Sequence, residues 1–81
     1  NLITGEVVRF NETFTQLFLT DVKEYSKFYN QWRPISSTTA INTQKALIIK
    51  NEQVITLNHL TPGDKIYAIT DQNNGILIFV E

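Results

Sequence analysis

The 81-residue chain lacks cysteine and contains only three glycines, two prolines and one histidine. Without cysteine there is no disulfide framework, no thiolate metal cluster and no cysteine nucleophile. Three glycines without a phosphate-loop pattern exclude a glycine-rich phosphate-binding loop. A domain of this length buries only about 60% of the surface that its unfolded form exposes. Hydrophobic packing must therefore stabilise a compact core unaided.

The chain also has no strong charge of one sign and no long apolar run. Seven basic and eight acidic residues give a net charge of -1. A domain that binds the phosphate backbone of nucleic acid usually has an excess of positive charge, which this chain lacks. Nucleic acid is therefore not the favoured partner. The longest apolar runs, at residues 46–49 and 76–80, are far shorter than the roughly 20 residues of a membrane-spanning helix. We expect a chain that does not cross a membrane.

Catalytic and metal-binding signatures are absent as well. His59 has no second histidine, no cysteine and no carboxylate at ligand spacing, so a structural or exposed role is expected for it and no metal site is predicted. The serines have no nucleophile-elbow context. Glycoside hydrolysis needs two facing carboxyl groups, and the sequence places no such pair. We predict a non-catalytic protein without a cofactor.

The most informative stretch that is present, residues 58–69, is typical of a strand end, a tight turn and a new strand. Pro62 presets φ for the second position of a turn, and Gly63 supplies the positive φ that a type II turn requires at the third. Asp64 follows directly, where an aspartate usually accepts backbone hydrogen bonds across the turn.

Short segments rich in β-branched and apolar residues recur between turn signals along the chain. Gly5 interrupts the first, where a bulge or bend would let a barrel strand curl. Asn51-Glu52 predicts a two-residue hairpin connection, and Asn73-Asn74-Gly75 carries the Asn-Gly hairpin signal. Residues 35–42 are polar enough for an edge strand or a linker. The strands are expected at residues 2–10, 14–19, 45–50, 53–57, 65–70 and 76–80.

Residues 22–32 have two alternative readings. Apolar and aromatic side chains recur there at the spacing of one helix face, with Asp21 and Glu24 positioned as a capping box. Pro34 disfavours a helix beyond Arg33. The serines, asparagine and aromatic residues have only modest helix propensity, however, so a looped excursion with one helical turn is equally consistent with the sequence.

Together these elements predict a mainly all-β fold, a small five- to six-stranded barrel of the oligonucleotide/oligosaccharide-binding (OB) type with one short helix or a loop at residues 22–32. Residues 1–81 are expected to form a single domain. Because the chain begins at Asn1 and enters a strand-like segment at once, we expect it to be excised from a larger protein.

Several short motifs occur around the turn at residues 62–63. They include Leu60 and Gly63-Asp64, and upstream residues 19–22 and Trp32. The strand motifs are Ile48-Ile49-Lys50-Asn51, Val54-Ile55, Ile66-Tyr67-Ala68-Ile69 and Ile78-Phe79-Val80-Glu81. Together these motifs resemble a small barrel module of bacterial cell-envelope proteins associated with S-layers. The resemblance implies an extracytoplasmic accessory domain, secreted or on the cell surface, whose partners are neighbouring domains of the same chain.

An aromatic cluster interleaved with cations is the one feature with functional promise. Tyr25, Tyr29, Trp32 and Arg33 are the candidate ligand-binding residues, with Phe28 among them in the sequence. In one reading the rings cover the open end of the barrel and complete its core. In the other they stay exposed as a platform on which a sugar face or a base stacks. Exposure decides between the two.

Two function hypotheses follow. In the first, the chain is a structural or ligand-binding module that contacts cell-wall polysaccharide through these aromatic residues. In the second, it is an OB-fold domain for single-stranded nucleic acid. The second hypothesis uses the same rings for stacking and draws on five cations for phosphate contacts, Lys23, Lys27, Arg33, Lys45 and Lys50.

Overall fold

The computed structural model describes residues 1–81 and contains seven β-strands, which confirms the all-β prediction. The only helical element is a single 3-10 turn at Leu57–His59. No helix has the length and apolar character of a membrane span. The strands are β1 Leu2–Phe10, β2 Gln16–Ser26, β3 Gln31–Asn42, β4 Leu47–Lys50, β5 Gln53–Ile55, β6 Lys65–Asp71 and β7 Asn74–Val80.

Five of the strands close into a barrel, as predicted, and two lie outside it. The strand order is β3-β2-β1-β6-β7-β4-β5. A parallel contact between Asn42 of β3 and Asn74 of β7 joins the first and fifth of these strands. The Asn42 amide donates a 2.8 Å hydrogen bond to the Asn73 carbonyl at this junction. The β4–β5 hairpin extends the sheet along β7, with β4 parallel to it.

A bulge between β1 and β2 lets the sheet curl. Thr4 pairs with Lys23 and Glu6 with Thr20, so Gly5 alone lies opposite two residues of β2. One of those two, Asp21, has a φ of 54°. A Cβ atom on Gly5 would lie 3.2 Å from the Thr20 carbonyl oxygen, so the close approach of the two strands favours glycine here. The predicted bend at Gly5 is confirmed.

The buried hydrophobic side chains of the barrel are all aliphatic, and three threonines are buried as well. The most deeply buried side chains include Leu17, Leu19, Ile66 and Ile78, each 0% exposed. None of the nine aromatic residues is buried. A core this small has no room for large rings at native packing density, so the aromatic side chains lie at its margin or on the outside.

Neither reading of residues 22–32 describes the structure, because this segment forms a β-hairpin. β2 continues to Ser26, and β3 starts at Gln31 after a four-residue turn. Asn30 has a φ of 52° there, and Ser26 Oγ accepts a 3.2 Å hydrogen bond from the Tyr29 amide. The helical spacing was misleading because residues seven apart share a helix face and also meet across a hairpin of this length.

Residues 35–42 belong to β3, so the edge-strand alternative is confirmed and the linker alternative is wrong. β3 pairs with β2 along its length but touches β7 only at Asn42. Its other edge is otherwise free, which is why serine and threonine residues suffice there. Pro34 is tolerated on an edge because its missing amide leaves no ladder bond broken, and Ile35 forms a bulge beside it.

Two of the three predicted turns are confirmed and the third is displaced. Gly63 has a φ of 92°, and the Asp64 amide bonds the Thr61 carbonyl at 3.1 Å, as a type II turn requires. Asn51 and Glu52 both have positive φ between β4 and β5. The β6–β7 turn, however, uses Gln72 and Asn73 rather than Asn-Gly.

Gly75 explains the displaced turn. It lies buried within β7, where a Cβ atom would be 3.3 Å from the Asn42 carbonyl oxygen. The glycine therefore permits the close approach of β3 at the barrel's closure, and the turn forms immediately before it.

Candidate functional site

The projecting end of the β2–β3 hairpin carries the aromatic residues singled out by the sequence. Tyr25 and Trp32 are directly paired across the two strands. Their ring centroids are 5.4 Å apart at an interplanar angle of 72°, an edge-to-face geometry that favours the pair. The Tyr25 hydroxyl donates a hydrogen bond to Asn30 Oδ1 in the adjoining turn. The pair is thus held in one orientation.

Tyr67 of β6 extends this pair into a larger surface. Along β6 the residues Ile66 and Ala68 face the core, and Tyr67 alternates with them on the outside. Its ring centroid is 6.0 Å from that of Trp32, and Lys65 Nζ lies 5.6 Å from its centroid. We call Tyr25, Trp32 and Tyr67 the aromatic platform.

A small polar cleft opens on the same outer side, next to the platform. Its volume is about 80 Å³, and every residue lining it is polar or glycine. Lys23 precedes Tyr25 by two residues, and Lys65 precedes Tyr67 by two, so strand alternation directs these side chains to the platform's side of the sheet. The cleft is lined by Thr4, Gly5, Glu6, Asp21, Lys23 and Lys65.

Thr4 lies between the aromatic platform and the polar cleft. In the strand register it lies between Lys23 on one side and Tyr67 on the other. It is 6% exposed, and its Oγ1 donates a 2.8 Å hydrogen bond to the Ile66 carbonyl. The hydroxyl is therefore satisfied inside the protein, and the groups left for a ligand are the charged side chains around it.

Tyr29 and Arg33, the other two predicted site residues, form a separate pair. Arg33 follows Trp32 directly, so its side chain leaves the strand on the opposite side. Its guanidinium carbon lies 4.6 Å from the Tyr29 ring centroid, a cation–π contact. Phe28 packs edge-on against Tyr29 at the tip and is 87% exposed. The structure thus divides the predicted cluster between two sides of the hairpin.

The exposure of these rings favours their interpretation as a stacking platform over their interpretation as a cover for the open end of the barrel. Trp32 is 37% and Tyr29 55% exposed, and the core is complete without them. The interpretation of these rings as a cover that completes the core is therefore wrong. Tyr67 was missed, although the alternation of residues 65–70 already places it on the outer face beside Lys65 and Ile69.

The remaining sequence candidates lie elsewhere. His59 is exposed, with Nδ1 3.1 Å from Thr56 Oγ1, and no group of three His, Asp or Glu side chains is arranged to hold a metal ion. Asp64 Oδ2 accepts a 2.9 Å hydrogen bond from the Thr61 amide, which confirms its predicted role in the turn. That bond, aided by Lys50 Nζ at 3.7 Å, lowers the pKa of the Asp64 carboxyl below its usual value.

The cations that a nucleic-acid site would need do not form one stripe. Lys23 lies among the carboxylates of the polar cleft, and Arg33 is stacked on Tyr29. Lys50 pairs with Asp64, and Lys45 lines a different cleft together with Asp71.

No protein-family model, no curated protein and no solved structure matches the chain.

Proposed function

We propose that the protein is a non-catalytic module that binds a carbohydrate chain on the aromatic platform, with the polar cleft holding the sugar hydroxyls. The observation that carries this proposal is the edge-to-face pair of Tyr25 and Trp32, partly exposed and extended by Tyr67, directly beside the cleft. Stacking area and hydrogen-bonding groups are thus available on one side of the sheet.

The chemistry of the cleft favours a polyhydroxylated ligand over a polyanion. A sugar ring presents an apolar C–H face that stacks on aromatic rings and hydroxyls that both donate and accept hydrogen bonds. Lys23 and Lys65 supply donors, and Glu6 and Asp21 supply acceptors. The two carboxylates would repel a phosphate backbone at the point where it would have to pass.

The setting that we propose is the bacterial cell envelope. The motif resemblance to S-layer-associated barrel modules supports an accessory domain that is secreted or displayed on the surface and joined to neighbouring domains. A cell-wall polysaccharide is the carbohydrate that such a domain would meet, and it is the ligand that we propose.

A second candidate, an OB-fold domain for single-stranded nucleic acid, is supported by the strand connectivity. A β1-β2-β3 meander whose last strand meets the final strand in parallel, with β6 returning to β1, is consistent with a Greek-key OB barrel. Stacking on the platform would serve bases as well as sugars. The scattered cations make it the weaker candidate, and binding that falls steeply with salt would be its signature.

To test the carbohydrate proposal, soluble cell-wall polysaccharide fragments and a glycan panel are titrated into the protein. Trp32 is the only tryptophan, so its fluorescence reports on the platform alone, and amide shifts locate the contact. Trp32→Ala should weaken binding by about fivefold to 150-fold, measured by calorimetry, because one stacking contact contributes about 1–3 kcal/mol. Phe28→Ala, which removes an exposed ring outside the platform, should change the affinity by less than about twofold.

Absence of any fluorescence or amide response across the whole panel would refute the carbohydrate proposal. Binding to a mixed-sequence oligonucleotide at low salt, lost at high salt and lost in Trp32→Ala, would establish the second candidate instead.

A further inference from the structure

A second surface, on the outside of β6, β7, β4 and β5, is apolar and extends from the aromatic platform along the sheet. The strand register aligns its residues in two rows. In one row Phe79 lies between Ile49 and Tyr67, and Val54 lies beyond Ile49. In the other row Leu77 lies between Ile69 and Leu47. We call Leu47, Ile49, Val54, Ile69, Leu77 and Phe79 the apolar face.

The barrel itself does not fully bury these side chains. The inner side of the same strands is already filled by Ile48, Ile66, Ala68 and Ile78, so the sheet is apolar on both sides. On the outer side Val54 is 67% exposed, Phe79 and Leu47 are both 45%, and Ile69 is 40%. A strand that is apolar on both sides is typical of a sheet covered on both sides.

We infer that the apolar face is the surface through which two copies of this chain associate, packing sheet against sheet. The two rows contain no charged side chain, so an identical face on a second copy is complementary to it without any charge pairing inside the contact. Two packed sheets about 10 Å apart bury such rows in the same way that a β-sandwich core does.

Charges at the margins of the face are compatible with self-association. One margin carries Glu6, Lys65 and Glu81 in neighbouring register positions, with signs that alternate. The other carries Asp71 and Lys45, which line one cleft. Lys65 and Asp71 lie at opposite ends of β6, so a copy rotated about a two-fold axis that runs across the strands would place its Lys65 near Asp71 of the other copy. A polyanion or an anionic membrane would instead select a margin of cations.

The size of the face sets the expected affinity. Its exposed side chains amount to roughly 400 Å² of apolar surface, the scale of the largest patch on an ordinary monomer and about half of what one partner buries in a standard interface. Leu2 pairs with Ile69 in the register and extends the surface onto β1. We therefore expect a weak, reversible dimer rather than an obligate one.

Sedimentation equilibrium over a concentration series tests the inference. The unmodified chain should shift from monomer to dimer mass below about 1 mM. Val54→Lys and Leu47→Lys should each raise the dissociation constant at least about tenfold, because a lysine would be desolvated in the contact. Ile35→Lys is the matched control: Ile35 is 51% exposed but lies on β3, away from the face, and its substitution should leave the constant unchanged.

A purely monomeric mass throughout the series would overturn the inference, as would equal effects of Val54→Lys and Ile35→Lys. Dilution of the unmodified chain, followed by amide shifts, provides a test independent of any variant's folding. Shifts should spread over β4, β6 and β7. Shifts confined to the backbone of β3 or β5 would reveal edge-to-edge pairing instead and would refute face packing. Trp32→Ala should weaken carbohydrate binding and leave the dimer intact, so the carbohydrate proposal and the dimer proposal can fail independently.

Discussion

The rings of Trp32 and Tyr67 lie 6.0 Å apart, although β2 and β1 separate their strands in the sheet. The last pairing between β1 and β2 is at Ile3 and Glu24, so the end of the β2–β3 hairpin has no third strand beside it. The indole therefore reaches across the outer face and connects the projecting hairpin to β6. The same contact that builds the platform also anchors it.

Trp32→Ala should lower the free energy of unfolding by about 1–3 kcal/mol, because it removes two aromatic pairs worth about 0.5–1.5 kcal/mol each. Urea denaturation measures the change. Amide exchange at Ser26 and Gln31, the last pair of the hairpin, should accelerate more than exchange in the barrel core. Phe28→Ala at the exposed tip should stay within about 0.5 kcal/mol of the unmodified chain. A uniform loss of protection would contradict an anchoring role confined to the hairpin.

Acidification should remove the stabilising contribution of Asp64. Its carboxylate accepts the Thr61 amide at 2.9 Å, which lowers the pKa in the folded state. A carboxyl whose folded pKa lies below its unfolded pKa contributes its full stability above the unfolded value and loses it as the pH falls through the folded value. The loss should therefore appear below about pH 4.

Asp64→Asn provides the comparison. It keeps an oxygen for the Thr61 amide but cannot titrate, so its stability should depend less on pH between about 5 and 3 than that of the unmodified chain. Chemical denaturation at several pH values measures this difference. Identical pH profiles for the two proteins would show that Asp64 contributes nothing to the acid response.

Glu52→Gly should stabilise the β4–β5 hairpin. Asn51 and Glu52 have φ values of 52° and 65°, and a two-residue turn with both values positive favours Asn-Gly. Relief of the left-handed conformation contributes about 1–2 kcal/mol, offset by the greater freedom of glycine in the unfolded chain. We expect a net gain of about 0.5–1 kcal/mol in thermal or urea unfolding. Gln53→Gly, one residue on and within β5, should be destabilising instead.

Gly75→Ala should weaken the closure of the barrel. The added methyl group would lie 3.3 Å from the Asn42 carbonyl oxygen and 3.5 Å from Ala46 Cβ, so β3 must move away from β7. We expect a loss of about 1 kcal/mol from this overpacking. Asn74→Ala, at the exposed preceding position, should have little effect on the unfolding midpoint. If Gly75→Ala leaves the free energy of unfolding unchanged, the contact between β3 and β7 adapts to the added methyl group without loss of stability.

Hydrophobic alternation and turn chemistry in the sequence predicted much of the barrel. Residues 2–10 and 65–70, the Pro62-Gly63 turn and the two-residue turn at Asn51-Glu52 were all identified because each depends on local preferences alone. The hydrogen bond from Thr61 to Asp64 was predicted for the same reason. The aromatic residues were recognised as a candidate site, and Tyr25 and Trp32 do lie together on an exposed surface.

The amino-acid sequence alone determined the chemistry of each residue, the local turns, and the alternation of inward-facing and outward-facing side chains along the strands. Only the tertiary structure decided that residues 22–32 form a hairpin, that β3 closes against β7 at Gly75, and that Tyr67 joins Trp32. The reason is that a spacing of seven residues satisfies both a helix face and a hairpin pair, so pairing with distant strands must choose between them. The apolar face is likewise visible only when four strands are placed in register, because each contributes no more than two residues to it.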